Sequence, residues 1–247
     1  VAITGRSAFT LYPTQSVTVT NNSGTWLVSA IERWISPGVT FYVNQSGSDS
    51  NDGLATGASN AFATIDHAWN IIKANIDCAG EAPIIMIDSG STLTVDYEIV
   101  LSGQMVGFHF CILTATASAG FPNSTNARVT FNSGGSLLVT DYATVIIQNI
   151  EFASNANNQI MIVCNNQAQL EMSGCIFGSN PGITGTYCIS CIFGQLNFTG
   201  DMSFSLGSST AAVINIGGSS YANIGNNTYT MLVTSGFTQA WLLAIGP

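Results

Sequence analysis

The chain has 247 residues, of which 46% are hydrophobic and only 7% charged, and thirteen acids against four bases leave a formal net charge of -9. The four bases, Arg6, Arg33, Lys73 and Arg128, are scattered, which excludes the basic surface that binding a phosphate backbone requires. The mean hydropathy is +0.35, yet no run approaches the ~18 consecutive apolar residues of a spanning helix, and the abundance of Val, Ile and Phe excludes the composition of a disordered chain.

In chain order, Val1-Ala2-Ile3-Thr4-Gly5 lacks the basic-then-apolar pattern of a secretory signal, so the chain reads as a fragment or a processed product. Phe9-Thr10-Leu11-Tyr12 alternates. Ser16-Val17-Thr18-Val19-Thr20 and Thr25-Trp26-Leu27-Val28, separated by Asn21-Asn22-Ser23-Gly24, predict a hairpin. Ser36-Pro37-Gly38 then marks a boundary, giving a small β anchor or stalk over 1–38 and a main body over 39–247. Phe41-Tyr42-Val43 opens that body. The polar stretch Gly47-Ser48-Asp49-Ser50-Asn51-Asp52-Gly53 does not have the spacing of an EF-hand loop and is expected to be a solvated turn. One helix is predicted over 64–76, because Ile65, Ala68, Trp69, Ile72 and Ile76 follow a helical stripe, with Gly80 beyond it as a stop. Asp66 suits its first turn, and His67 and Lys73 fall off the stripe and are expected to face solvent.

The six cysteines, Cys78, Cys111, Cys164, Cys175, Cys188 and Cys191, are too few for a disulfide scaffold and read as reduced core thiols. Cys188-Ile189-Ser190-Cys191 has zinc-like spacing, but residues three apart in a strand point to opposite faces, and no second pair completes four ligands. No metal or cofactor is expected.

The C-terminal half repeats. Val145-x-Ile147, a two-residue step, then Ile150-x-Phe152 recurs as Leu170-x-Met172 with Cys175-x-Phe177 and as Leu196-x-Phe198 with Met202-Ser203-Phe204. A weaker copy is Ala222-x-Ile224 with Tyr229. The copies start at 145, 170, 196 and 222, so they are 25, 26 and 26 residues apart. A second column, Leu137/Val139, Ile162/Cys164, Ile189/Cys191 and Ile214/Ile216, precedes each copy. Columns advancing together at this period describe a coil stacked on itself, an all-β parallel β-helix in which each rung needs its neighbours to bury its apolar face. Ile85-x-Ile87, Phe108-x-Phe110-x-Ile112 and Val129-x-Phe131 suggest earlier coils. The helix around Trp69 would close the first end and Thr238-Gln239-Ala240-Trp241-Leu242-Leu243 the last. The rival arrangement of such short strands is a sandwich.

Phe41-Tyr42-Val43-Asn44, the turn from Gly47 to Leu54, and Phe62-Ala63-Thr64-Ile65 with Ala68 resemble the opening of pectate-lyase-like right-handed β-helix domains, especially those of bacteriophage tail spikes and virion fibres. Leu11-Tyr12-Pro13-x-Gln15-Ser16-Val17-Thr18-Val19, with Gly24-Thr25-Trp26, resembles the small β segments that precede them. The resemblance implies a right-handed coil with an N-terminal helical cap and a homotrimer. The fold hosts lyases, hydrolases and inert adhesins alike.

A lyase of the pectate type needs a base and calcium-holding carboxylates; the coil offers Arg128 without clustered acids. A glycosidase needs two carboxylates about 5 to 10 Å apart, and its candidates are Asp141, Glu151, Glu171 and Asp201. Glu151 aligns with Ile176, and Glu171 with Ile146 and Asn197, so isolated solvated acids are the simpler reading. Ile146 and Ile176 are expected to point outward, to stack into an apolar patch and to form a trimer interface. Tyr142, Tyr187, Tyr221 and Tyr229 suit sugar contact. The expectation is therefore a homotrimeric fibre or spike at the virion surface that attaches to host surface glycans and joins other virion proteins through 1–38, with no nucleic-acid partner and no membrane insertion. The alternatives are a polysaccharide depolymerase on the same coil and a secreted bacterial adhesin.

Overall fold

The computed structural model describes residues 17–22, 25–31, 33–115, 127–157, 159–179, 187–206, 212–224, 229–233 and 242–244. Val17–Asn22 and Thr25–Ile31 pair as the predicted antiparallel hairpin; Phe9–Tyr12 lies outside the described residues. All other described strand pairs are parallel, which removes the sandwich.

The strands fill three parallel sheets. The first has seven, Thr40–Val43, Ile84–Ile87, Cys111–Ala115, Thr144–Gln148, Gln169–Ser173, Gln195–Phe198 and Tyr221–Asn223. The second has six, Thr92–Val95, Arg128–Phe131, Glu151–Ser154, Cys175–Ser179, Met202–Leu206 and Tyr229–Val233. The third also has six, Glu98–Ser102, Ser136–Thr140, Ile160–Asn165, Tyr187–Ile192, Ala212–Gly217 and Leu242–Ala244. From Ile84 onward the chain visits first, second and third sheet in turn, then pairs each new strand with the strand three earlier. That is the winding a parallel β-helix requires.

The register agrees with the repeat alignment. Val145 pairs with Leu170, Leu170 with Leu196, and Leu196 with Ala222. Leu137, Ile162, Ile189 and Ile214 likewise follow one another in the third sheet. The repeat contains three strand columns rather than two, because the polar steps Gln148-Asn149 and Ser173-Gly174 each join two sheets. Alternation puts Val145, Ile147, Leu170, Met172, Leu196 and Phe198 inside. In the second sheet Phe131, Phe152, Phe177 and Phe204 stack rung on rung, with centroids 6.2, 5.4 and 5.4 Å apart. One early segment differs in phase. The strand is Cys111–Ala115 with Cys111 and Leu113 buried, so Ile112 points outward and Phe108 and Phe110 precede the strand. A slip of one residue exchanges the two faces.

The helix runs over Ile65–Asn75, with Thr64 as its N-cap accepting from His67 N at 3.3 Å. Ile65, Ala68, Trp69 and Ile72 are buried as expected. It ends because Ile76–Asp77 turns into a strand that pairs with Trp34–Ile35. Trp69 Nε1 and Lys73 Nζ both donate to Ser102 O, at 3.3 and 2.8 Å, fastening the helix to the terminal strand of the third sheet. Lys73 is therefore half-buried and bonded rather than solvated, and the His67 ring packs edge-on against Phe62, 4.7 Å away. Helical position alone did not show that the first coil rises beside these two side chains.

The acidic turn is also more than a solvated loop. Asp49 Oδ1 accepts from Ala63 N and Thr64 N, and its Oδ2 from Thr64 Oγ1. Asp49 thus orients the residue that caps the helix, in the region where carboxylate is favoured. Asp52 Oδ1 accepts from Leu54 N. At the opposite end, Leu242–Ala244 extends the third sheet beyond Ile214–Ile216; residues 238–241 lie outside the described residues.

Candidate functional site

From Thr140 onward the chain passes from the third sheet to the first through only two or three residues, and these turns stack. In Thr140-Asp141-Tyr142-Ala143 and Asn165-Asn166-Gln167-Ala168 the fourth N–H donates to the first carbonyl, at 3.1 and 3.0 Å. Both central residues of each have positive φ: 54° and 63° at Asp141 and Tyr142, 49° and 64° at Asn166 and Gln167. These are the mirror-image turns that Gly, Asn and Asp favour. Phe193, in the following turn, is left-handed too, at φ 58°. For Tyr, Gln and Phe this conformation costs about 1–2 kcal/mol each. Backbone bonds run between rungs, from Tyr142 N to Asn166 O at 3.3 Å and from Gln167 N to Phe193 O at 2.6 Å.

The turns project their side chains along one corner. Tyr142, Phe193 and Tyr221 are 55%, 55% and 59% exposed, large values for aromatics in a chain that buries so many others. A cleft of about 660 Å³ is lined by Asp141, Tyr142, Asn166, Gln167, Phe193 and Ser219. A second, of about 290 Å³, shares Tyr142, Gln167, Phe193 and Ser219 and adds Gln169, Gln195 and Tyr221. Gln169, Gln195 and Tyr221 are in register on adjacent strands. The Phe193 ring lies against Gly218, where an added Cβ would come within 2.7 Å of it, so this position admits no side chain without moving the ring. Asp141 Oδ1 accepts from Asn166 Nδ2 at 3.2 Å.

Aromatic faces alternating with amides and hydroxyls can stack on the C–H face of a pyranose and hydrogen-bond its hydroxyls. Tyr142 and Tyr221 were expected as sugar contacts, and the structure brings both to this corner. The side chains of Tyr187 and Tyr229 lie outside the described residues. Phe193, Gln167, Gln169 and Gln195 were not anticipated. Gln169, Gln195 and Tyr221 were within reach, since each immediately precedes an aligned apolar position, 170, 196 and 222.

The four candidate acids are dispersed. Asp141 alone among them lines either cleft. Glu151, on the outer face of the second sheet, forms an ion pair with Arg128. Glu171 is on the outer face of the first sheet and accepts from Thr199 Oγ1 at 3.0 Å. Asp201 is exposed at the step from first to second sheet, its carbonyl accepting from Gly174 N at 2.8 Å. Arg128, the basic residue considered for the lyase reading, is thus engaged by Glu151. No three His, Cys, Asp or Glu side chains among the described residues are placed to hold a metal.

Ile146 and Ile176 both point outward and are half-buried, but they do not stack into one patch. Ile146 is in the first sheet and pairs with Ile112 and Glu171, whereas Ile176 is in the second and pairs with Glu151 and Ser203. In the third sheet Val100, Leu138 and Val163 form one apolar outer column, and in the first sheet Ile84, Ile112 and Ile146 form another. The latter turns polar at Glu171, Asn197 and Asn223.

All six cysteines are buried and unpaired. No helix among the described residues is long and apolar enough to cross a membrane. Comparison of the chain with protein-family models, curated proteins and solved structures yields no match.

Proposed function

We propose that this chain is a right-handed parallel β-helix of the kind carried by phage tail spikes and virion fibres, and that it attaches to host surface glycans through the corner formed by Tyr142, Gln167, Phe193 and Tyr221. The observation that carries the proposal is the placing of three exposed aromatics beside neutral amides on stacked turns. Right-handedness follows the general preference of parallel crossovers. The helix over Ile65–Asn75 acts as the cap, in keeping with its hold on Ser102, and residues 1–38 join the coil to other virion proteins.

The attachment test is an array of immobilised glycans. The expected result is retention of the chain on a subset of them, reduced at least about tenfold in Phe193→Ala, the loss of one buried-face contact at a binding hot spot. Retention on none would remove the attachment role.

The coil is further proposed to form a homotrimer through the outer face of the first sheet, where Ile84, Ile112 and Ile146 present a continuous apolar column. Light scattering should give three times 25.8 kDa, and Ile112→Glu, which places a charge in the middle of the column, should give the monomer mass. A monomeric parent chain would exclude the trimer. The depolymerase alternative draws on Asp141 in the larger cleft. Glycoside hydrolysis of the usual kind needs a second carboxylate, and Glu151, Glu171 and Asp201 line neither cleft.

A further inference from the structure

Two sulfurs stand next to each other inside the coil. Cys164 and Cys191 are register partners on consecutive rungs of the third sheet, and both are wholly buried. Their column continues as Val139 on one side and Ile216 on the other, so the two polarisable atoms are bracketed by apolar side chains. The register partner of Cys191 is therefore Cys164, one rung earlier, and not Cys188, with which it shares the zinc-like spacing. We infer that Cys164 and Cys191 form a two-coordinate site for one soft monovalent metal ion, Cu(I), held between the rungs as a linear bis-thiolate. The inference is independent of the attachment role.

Geometry favours a metal over a disulfide at this place. Parallel strands keep equivalent residues ~4.8 Å apart, and hydrogen bonding along Ile162 to Asn165 and Ile189 to Ile192 holds that spacing. A disulfide draws its Cβ atoms to about 3.8 Å, which would pull the two rungs together. Two metal-thiolate bonds of ~2.3 Å placed end to end span ~4.6 Å, so a linear sulfur-metal-sulfur unit bridges the rungs without moving either strand.

The ligand set selects the ion. Thiolates favour Cu(I), whereas structural Zn(II) asks for four ligands, and no group of three His, Cys, Asp or Glu side chains is assembled among the described residues. Binding exchanges two S–H bonds for two sulfur-metal bonds and releases two protons to water, leaving one net negative charge inside the coil. Cys191 is prepared for this. Hydrogen bonding from the Cys164 thiol, with smaller help from the Ser220 hydroxyl and the Gly194 N–H, holds the Cys191 thiol below its ordinary value although burial opposes it. Cys164 keeps the shared proton and is raised by the same bond and by burial. The carbonyls nearest its sulfur, Ala168 O at 3.4 Å and Gln195 O at 3.6 Å, suit a bound cation and disfavour a free thiolate.

A way in is present as well. Gly194 lines the smaller cleft, and a Cβ added to it would stand 2.8 Å from Cys164 Sγ. A residue without a side chain is thus what separates this sulfur from the cleft.

The test loads the reduced parent chain with Cu(I) in the absence of oxygen, against a chromophoric Cu(I) chelator. One equivalent should stay with the chain, and X-ray absorption at the copper edge should show two sulfur neighbours and no third ligand. Cys164→Ser and Cys191→Ser should each weaken retention at least about a hundredfold, more than the loss of an outer partner costs. Since a serine in an apolar column also weakens the coil, the complementary variants Cys78→Ala, Cys111→Ala, Cys175→Ala and Cys188→Ala complete the assignment. Each of these that folds should keep the full equivalent. Failure of the parent chain to hold Cu(I) against the chelator would overturn the inference. So would full retention in Cys164→Ser or Cys191→Ser, loss of the metal from a folded complementary variant, a third ligand at the copper edge, or displacement of Cu(I) by Zn(II).

Discussion

Phe177→Ala should cost about 3–5 kcal/mol of folding stability, the usual penalty for truncating a fully buried Phe. Phe177 is wholly buried and sits between Phe152 and Phe204, 5.4 Å from each, at interplanar angles of 25° and 10°. Truncation removes contacts on both sides of the ring. The neighbours cannot close the gap by moving together, because the hydrogen-bonded strands hold the rungs at fixed spacing. A domain is stable by only about 5–15 kcal/mol in all, so the variant should lose a large share of its resistance to urea. Tyr142→Ala, at the exposed corner, should stay within about 0.5 kcal/mol of the parent. A loss below about 1.5 kcal/mol for Phe177→Ala would show that the column collapses around the missing ring and does not act as a stacked core.

Raising the pH from 8 to 10 should weaken the fold by about 5 kcal/mol, through thiols rather than surface charge. Burial pushes the Cys175 thiol up from its ordinary value of 9.0 to about 12. Cys111 is raised still further, chiefly by burial with a smaller push from Cys78, Cys188 is raised by burial alone, and Cys78 is raised to about 11 by burial and then by the neighbouring Asp77. Below pH 9 the thiols are protonated in both states and the effect is absent. Above it the unfolded chain releases protons that the folded chain keeps, so unfolding becomes progressively easier until the folded thiols titrate in turn. Each thiol contributes up to about 1.4 kcal/mol per pH unit in that window, and four of them contribute about 5 at pH 10. Tyr97 acts in the same direction at higher pH, since burial and the neighbouring Asp66 raise its phenol, which donates to Asp66 Oδ1 at 3.0 Å. Urea unfolding at pH 8, 9 and 10 measures the slope. Replacing Cys188 by Ala should lower overall stability yet make the slope shallower by about a quarter. An unchanged slope in that variant would assign the alkaline loss to other groups.

How much of this was legible beforehand depends on how local each signal is. Positions 145, 170, 196 and 222 align in the structure as they do in the repeat. Inward Phe152, Phe177 and Phe204 follow from the same alternation. Strand alternation and a 25-to-26-residue period are properties of the chain itself, and hydrogen bonding between equivalent rungs turns the period directly into register. The helix stripe from Ile65 to Ile72 was equally plain, since it depends on residues within one segment.

The errors come from the third dimension. Ile146 and Ile176 read as outward residues stacked on successive rungs, but they occupy different strands of their copies, the two-residue step between those strands changes sheet, and they end on different faces. Lys73 and Asp49 read as solvated because their partners, Ser102 and Thr64, are set by how the first coil rises past the helix.

By itself the amino-acid sequence determined the period, the inward columns, the capped helix and the neutral surface, because each is written in short-range alternation that the stacking of rungs preserves. Tyr142, Gln167, Phe193 and Ser219 keep the same 25-to-26-residue period, so their stacking was already in the sequence; only the tertiary structure decided that the rings of Tyr142, Phe193 and Tyr221 stand exposed together at that corner. Their exposure depends on left-handed turns whose backbone geometry is held by bonds between rungs and is not written in the residue types, since Tyr, Gln and Phe are not the residues such turns favour.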